Sequence, residues 1–112
     1  MDYVITLDAN GIPDMATVHA HGSSQDTIQW KATVKSDGTY PQWYIFLLDP
    51  FSDHVIVTNA NTGKSSKIKV CQSYPQPGAY CPYWATANDP RLLIKKKAHL
   101  TTGPAGGIII DN

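Results

Sequence analysis

The amino-acid sequence predicts an all-β protein, a sandwich of two antiparallel sheets. Its strongest periodic segments alternate apolar and polar side chains with a period of two, which is the pattern of a half-buried strand. Turn-forming residues interrupt the chain at intervals of about ten to fifteen residues, leaving little room for helices. At 112 residues, the chain is expected to form a single β-sandwich domain over residues 1–112.

Residues 26–35 give the clearest strand. The apolar side chains of this segment fall on one face: Ile28, Trp30, Ala32 and Val34. Thr, Gln and Lys side chains occupy the other face, so one side of the strand is expected to pack in the core and the other to meet solvent.

Residues 43–48 differ because both alternating faces of this segment are apolar. This pattern predicts a central strand that is covered on both sides, or one with a partner on its outer face. The same counting predicts strands at residues 3–7, 16–21, 54–59, 67–71, 79–87, 91–98 and 107–111. Nine strands are enough for a two-sheet sandwich.

The charge balance argues against two classes of partner. Nine Lys and Arg residues match nine Asp and Glu residues, so no basic field attracts nucleic acid. No apolar run reaches the length of a membrane-spanning helix, so no membrane partner is expected.

The start of the chain lacks the basic leader and apolar stretch of a signal peptide. This leaves a cytoplasmic protein or a mature extracytoplasmic fragment.

The order of features carries a resemblance to a known family. In sequence these features are Gly22, Thr27-Ile28-Gln29-Trp30, Gly78-Ala79-Tyr80, Asp89-Pro90 and Ile108-Ile109-Ile110-Asp111. The order resembles a cupredoxin-like Greek-key sandwich, with an immunoglobulin-like sandwich as the alternative. A cupredoxin would imply a blue-copper site of two His, one Cys and a weak axial ligand before the last strand. Only His99 follows Cys81, at too great a distance, so the copper-ligand pattern is missing.

Two cysteines could form a disulfide. A hairpin folded about Gln76 would place Cys71 opposite Cys81 and Ile68 opposite Trp84. A Cys71–Cys81 disulfide would stabilise the fold by about 3 kcal/mol in the chain-entropy model. The alternatives are two buried thiols in a reducing compartment, or a metal or redox role.

His19 and His21 form a His-x-His pair. Residues two apart on a strand share a face, so both imidazoles could bind one zinc or copper ion. Such a site needs a third ligand, for which His54, His99 and Asp26 are the candidates. The alternative is that both His side chains lie on an ordinary solvated face.

Aromatic side chains supply the candidate ligand-binding residues. Four of them are expected to be exposed: Tyr44, Tyr74, Tyr83 and Trp84. Such rings could stack on a sugar or anchor a protein interface, since Tyr and Trp combine a flat apolar face with a polar group. The alternative is a structural role within the sandwich.

No phosphate loop, nucleophile elbow or zinc-protease helix occurs in the sequence, so an enzyme is disfavoured. The leading prediction is a non-enzymatic binding or interaction module without a cofactor, whose partner is an unknown protein or a carbohydrate. A metal-binding protein that uses the His-x-His pair is the first alternative, and a small hydrolase with an unrecognised site is the second. Burial of the 43–48 segment between two copies would give a homo-oligomer.

Overall fold

The computed structural model describes residues 1–21, 26–47, 54–69, 79–89 and 105–111. Eight strands lie in these ranges: β1 (Asp2–Leu7), β2 (Thr17–His21), β3 (Thr27–Ala32), β4 (Tyr44–Leu47), β5 (His54–Val57), β6 (Ile68–Lys69), β7 (Ala79–Thr86) and β8 (Ala105–Asp111). The described ranges hold no helix, and therefore none that is long and apolar enough to cross a membrane. The predicted strand at 91–98 lies outside these residues.

The strands form two sheets. One has three strands in the order β1-β3-β6, and the other has five strands in the order β2-β8-β7-β4-β5. The chain changes sheet repeatedly, since β1, β3 and β6 belong to one sheet while β2, β4, β5, β7 and β8 belong to the other. The predicted all-β, two-sheet sandwich is therefore confirmed.

The prediction that all strands pair antiparallel was wrong for two pairs. β1 runs parallel to β3, and β2 runs parallel to β8. Parallel neighbours need a long connection between them. β2 supplies part of that connection between β1 and β3 by crossing to the other sheet, whereas β2 and β8 come from opposite ends of the chain.

The core lies between the two sheets. β1 and β3 contribute Ile5, Leu7, Ile28, Trp30 and Ala32 from one side. The five-stranded sheet contributes Val18, Ala20, Ile45, Leu47, Ile56, Cys81, Tyr83, Ala85 and Ile108 from the other. The ring of Trp30 meets that of Tyr83 edge to face across the layers, with centroids 5.2 Å apart and planes at 75°. This geometry is favourable for an aromatic pair.

The inward face of β3 is shorter than the alternation predicts. Ile28, Trp30 and Ala32 are fully buried, whereas Val34 is 50 % exposed. The strand ends at Ala32, so Val34 has no sheet neighbour to hold it against the core.

A buried hydroxyl fixes the entry into β4. Thr58 is fully buried, and its Oγ1 accepts a hydrogen bond of 2.7 Å from the backbone N–H of Trp43. The N–H of Thr58 donates in turn to the carbonyl of Trp43 at 2.9 Å. These two bonds hold the beginning of β4 beside the end of β5, which sets the side on which each following side chain lies.

Candidate functional site

The five-stranded sheet has a second apolar face, on the side away from the core. Alternation places one residue in two of each strand on this side, and none of the following belongs to the core cluster. We call this set the outer aromatic face; its members are Tyr44, Phe46, Val55, Val57, Pro82, Trp84, Thr86 and Ile109. Apart from Phe46, which is buried, each of these side chains is partly exposed.

A stacked aromatic pair lies at the centre of the outer aromatic face. The rings of Phe46 and Trp84 have centroids 6.4 Å apart and planes inclined by 28°. The strand register sets this contact, because Phe46 pairs with Trp84 on one side and with Val55 on the other. Phe46 is only 7 % exposed, so Trp84 is the ring of this pair that a partner can reach.

The outer face of the three-stranded sheet has a different character. Alternation puts Asp2, Val4, Thr6, Thr27, Gln29 and Lys31 on it. Among these, only Val4 is apolar, and it stands 43 % exposed without a neighbouring apolar cluster. The outer aromatic face, by contrast, contains no residue that is charged at neutral pH.

The structure places two of the four predicted aromatic residues at the surface. Tyr44 and Trp84 both lie on the outer aromatic face with partly exposed side chains. Tyr83 was wrongly predicted to be exposed, since it is fully buried in the core. It has the same parity in β7 as Cys81 and Ala85, which also point inward. Tyr74 lies outside the described residues.

Phe46 belongs to the outer aromatic face but was not among the four aromatic residues predicted from the sequence to be exposed. The signal was present in the sequence, because a strand that is apolar at every position must put apolar side chains on both sides of its sheet. Ile45 and Leu47 fill the core, and so Phe46 has to face outward. The prediction of a central strand is confirmed for β4, which pairs with both β5 and β7, whereas Tyr44 on its outer side is partly exposed.

The predicted His-x-His pair lies at an edge of the same sheet. β2 shows the expected alternation, with Val18 and Ala20 buried and with His19 and His21 exposed on the outer side. Asp26 is not available as a metal ligand beside these imidazoles, because both of its carboxylate oxygens already accept hydrogen bonds. Its Oδ2 accepts the backbone N–H of His21 at 2.9 Å, and its Oδ1 accepts the amino terminus at 2.9 Å.

These bonds explain the charge state of Asp26. The pKa of this carboxyl is lowered, first by the hydrogen bond from the amino-terminal ammonium and then by the backbone N–H of His21. Asp26 is therefore a structural anion that ties β2 to the start of β3. Among the side chains that the structure describes, no three His, Cys, Asp or Glu groups gather closely enough to hold a metal ion.

The predicted hairpin around the two cysteines is wrong. Ile68 pairs with Ile28 in the three-stranded sheet, whereas Trp84 pairs with Phe46 in the five-stranded sheet. β6 and β7 therefore belong to different sheets, although they follow each other in the chain. Cys81 is fully buried in the core. Cys71 lies outside the described residues, so the Cys71–Cys81 disulfide stays a prediction.

Known proteins give this chain a distant structural similarity. No family model and no curated protein matches the chain. Among solved structures, the chain is similar to reduced rusticyanin, with 11 % sequence identity and a TM-score of 0.46. That match covers 99 % of this chain and 79 % of rusticyanin. Identity at this level transfers no activity, ligand or residue role.

Proposed function

We propose that the protein is a non-enzymatic interaction module, cupredoxin-like in architecture, and that it binds an apolar protein surface through the outer aromatic face. The observation that carries this proposal is the row formed by Trp84, Phe46 and Val55 across three adjacent strands. A sheet face directed at water normally alternates with the core face in polarity. This row is apolar, so its composition suits contact with another apolar surface.

The chemistry of the face favours a protein over a carbohydrate. Aromatic residues near the centre of a patch provide most of the binding energy in many protein interfaces, and Trp84, which stacks on Phe46, is placed in this way. Sugar sites also need converging polar groups for the hydroxyls. Among the described residues of the outer aromatic face, the polar side-chain groups are the phenol of Tyr44 and the hydroxyl of its register neighbour Thr86, and the other described members are apolar.

A second copy of the chain is the partner on which the face can be tested. Two copies of one patch meet in a symmetric dimer, so any net charge on the patch would repel itself. The outer aromatic face is uncharged and escapes that penalty. The face spans the four adjacent strands β8, β7, β4 and β5, which at a spacing of about 4.8 Å makes it roughly 14 Å wide, and this is small for a stable interface. We therefore expect weak, concentration-dependent association.

Sedimentation velocity over a wide range of protein concentration tests this proposal. The wild-type protein should sediment faster as concentration rises, and Trp84→Ser should remain monomeric. Val4→Ser is the matched control, because it removes an exposed apolar side chain from the opposite sheet and should associate like the wild type. A wild-type monomer at every concentration, or equal association by Trp84→Ser, would contradict self-association through this face.

Tryptophan fluorescence distinguishes a carbohydrate ligand from a protein partner. Trp30 and Trp43 are buried, so changes that follow ligand addition should come from Trp84. Oligosaccharides should leave the emission unchanged if the face binds protein. A saturable change that disappears in Trp84→Phe would indicate sugar binding and would replace the protein partner.

A further inference from the structure

Two lysine residues lie directly opposite each other on the outer side of the three-stranded sheet. Lys31 of β3 and Lys64 form an antiparallel bridge. Both neighbours of Lys31 in β3, Trp30 and Ala32, are fully buried in the core, so the side chain of Lys31 lies on the outer face. Directly opposed residues share a face of a sheet, and Lys64 is exposed. The outer face therefore holds two neighbouring lysine side chains.

The hydrogen bonds around the bridge place the two lysines close together. The N–H of Ala32 donates to the carbonyl of Gly63 at 2.7 Å, on one side of the bridge. On the other side, the N–H of Ser65 donates to the carbonyl of Trp30 at 2.9 Å. Bonds that flank a residue pair in this way define a non-hydrogen-bonded pair, whose Cα atoms are about 4.5 Å apart and whose side chains are closest. Like charges in such opposite positions destabilise a sheet.

No acidic side chain relieves this repulsion in the part of the chain that the structure describes. The ion pairs there join Lys67 to Asp2 and the amino terminus to Asp26. Asp8 and Asp14, which follow β1, accept backbone N–H groups with their carboxylates. A local rule of sheet pairing that is broken without compensation commonly marks a functional position. The lysine pair therefore points to a counter-ion that comes from outside the chain.

We propose that Lys31 and Lys64 bind a divalent tetrahedral oxyanion, either free phosphate or sulfate or the same group in an ester of a small molecule. Ammonium groups donate hydrogen bonds and accept none, and lysine is a common phosphate ligand. Thr6 of β1 pairs with Lys31 from the other side and adds a hydroxyl to the same row of the outer face. A bound anion replaces repulsion between the two lysines with attraction to a shared partner.

Titration with inorganic phosphate near neutral pH tests this site, with amide NMR spectra as the readout. Sodium chloride holds the ionic strength constant, because salt screens exposed charges. The wild-type protein should bind saturably, with shifts centred on the lysine pair. Lys31→Gln and Lys64→Gln should each weaken binding by about tenfold, the loss expected for a charge-assisted hydrogen bond. Lys64→Arg keeps the charge and should retain binding.

Lys35→Gln is the matched control. It removes the same charge from an exposed residue in the turn that follows β3, where the N–H of Lys35 donates to the carbonyl of Thr39. This variant should bind phosphate like the wild type. An equal loss in Lys35→Gln would indicate general attraction of anions to the protein and would overturn the site.

Unfolding in urea gives a second readout that does not depend on the NMR spectra. In sodium chloride alone, Lys64→Gln should unfold at a higher urea concentration than the wild type, because it removes the like-charge pair. Phosphate at the same ionic strength should raise the midpoint of the wild type and leave that of Lys64→Gln unchanged. A lysine without a bound anion would show neither effect.

Two further results would overturn the proposal: no saturable phosphate binding by the wild type, or wild-type affinity in both Gln variants. Glycerol 3-phosphate in a parallel titration distinguishes the two sources of the anion. Tighter binding than that of inorganic phosphate would assign an ester, and equal binding would assign the free ion.

The lysine pair lies on the other sheet from the outer aromatic face and is independent of it. Trp84→Ser should lose self-association and keep the wild-type phosphate affinity. Lys64→Gln should do the opposite, so that failure of one site is distinguishable from failure of the other.

Discussion

Tyr83 and Trp84 are adjacent in β7, yet their rings belong to opposite sides of the five-stranded sheet. Tyr83 meets Trp30 edge to face inside the core, with centroids 5.2 Å apart. Trp84 stacks on Phe46 on the outer side, at 6.4 Å. The inner pair joins the two layers, whereas the outer pair lies within one sheet and leaves part of Trp84 exposed. Because side chains alternate along a strand, two adjacent residues of β7 supply one ring that packs in the core and one ring that is available for binding.

Replacing Tyr83 and Trp84 with alanine, one at a time, should give the largest difference in the free energy of unfolding. Tyr83→Ala should lower the free energy of unfolding by about 3–5 kcal/mol, because it leaves a cavity between the layers. Trp84→Ala should cost about 1 kcal/mol, the scale of an aromatic pair with limited burial. Urea unfolding with a common m-value measures both. Similar losses at the two positions would mean that the outer ring also holds the fold together.

This contrast shows what the sequence could and could not predict. Period-two alternation correctly placed Ile28, Trp30 and Ala32 in the core and both His residues of β2 on the outer face. It also predicted a strand with two apolar faces where Phe46 lies. These predictions need only the positions of neighbours along the chain, because alternation is a local property of a strand.

The errors concern contacts between distant parts of the chain. Nothing local indicates that β1 should pair parallel with β3, or that β6 and β7 should enter different sheets. The side on which Tyr83 falls depends on which face of β7 meets the other layer, and that is decided by packing against Trp30.

Phe46 tests whether the outer face is packed as the structure shows. It is 7 % exposed although it lies outside the core, and so Phe46→Ala should cost about 2–4 kcal/mol, near the range for buried large-to-small changes. Val4→Ala removes an exposed apolar side chain from the other sheet and should cost less than about 0.5 kcal/mol. Equal, small losses in urea unfolding would contradict the difference between the two outer faces.

A substitution at Gly106 tests the Trp30–Tyr83 pair by adding an atom beside the Tyr83 ring instead of removing the ring. A Cβ at this position would overlap the hydroxyl oxygen of Tyr83 and lie 2.5 Å from the attached ring carbon. Gly106→Ala should therefore destabilise the protein by about 1–3 kcal/mol through overpacking. The penalty should largely disappear in the Tyr83→Ala background, where the ring is absent. An undiminished penalty in that double-mutant cycle would locate the clash elsewhere.

Substitutions on the polar outer face of the three-stranded sheet should have the smallest effect on stability. Asp2 accepts a hydrogen bond from the Thr27 hydroxyl and lies 3.4 Å from Lys67 Nζ. The pKa of Asp2 is lowered, first by the Thr27 hydrogen bond and then by Lys67.

A lowered native pKa means that the ionised carboxylate stabilises the folded state. This contribution is complete above the unfolded value of about 3.9 and is lost as pH falls through the lower native value. Asp2→Asn and Thr27→Val should therefore both reduce the acid dependence of stability between about pH 5 and pH 2. Trp84→Ser should leave that dependence unchanged, because the outer aromatic face has no acidic side chain. Urea midpoints across this pH range measure the effect, and a wild-type slope in Asp2→Asn would remove Asp2 from the acid response.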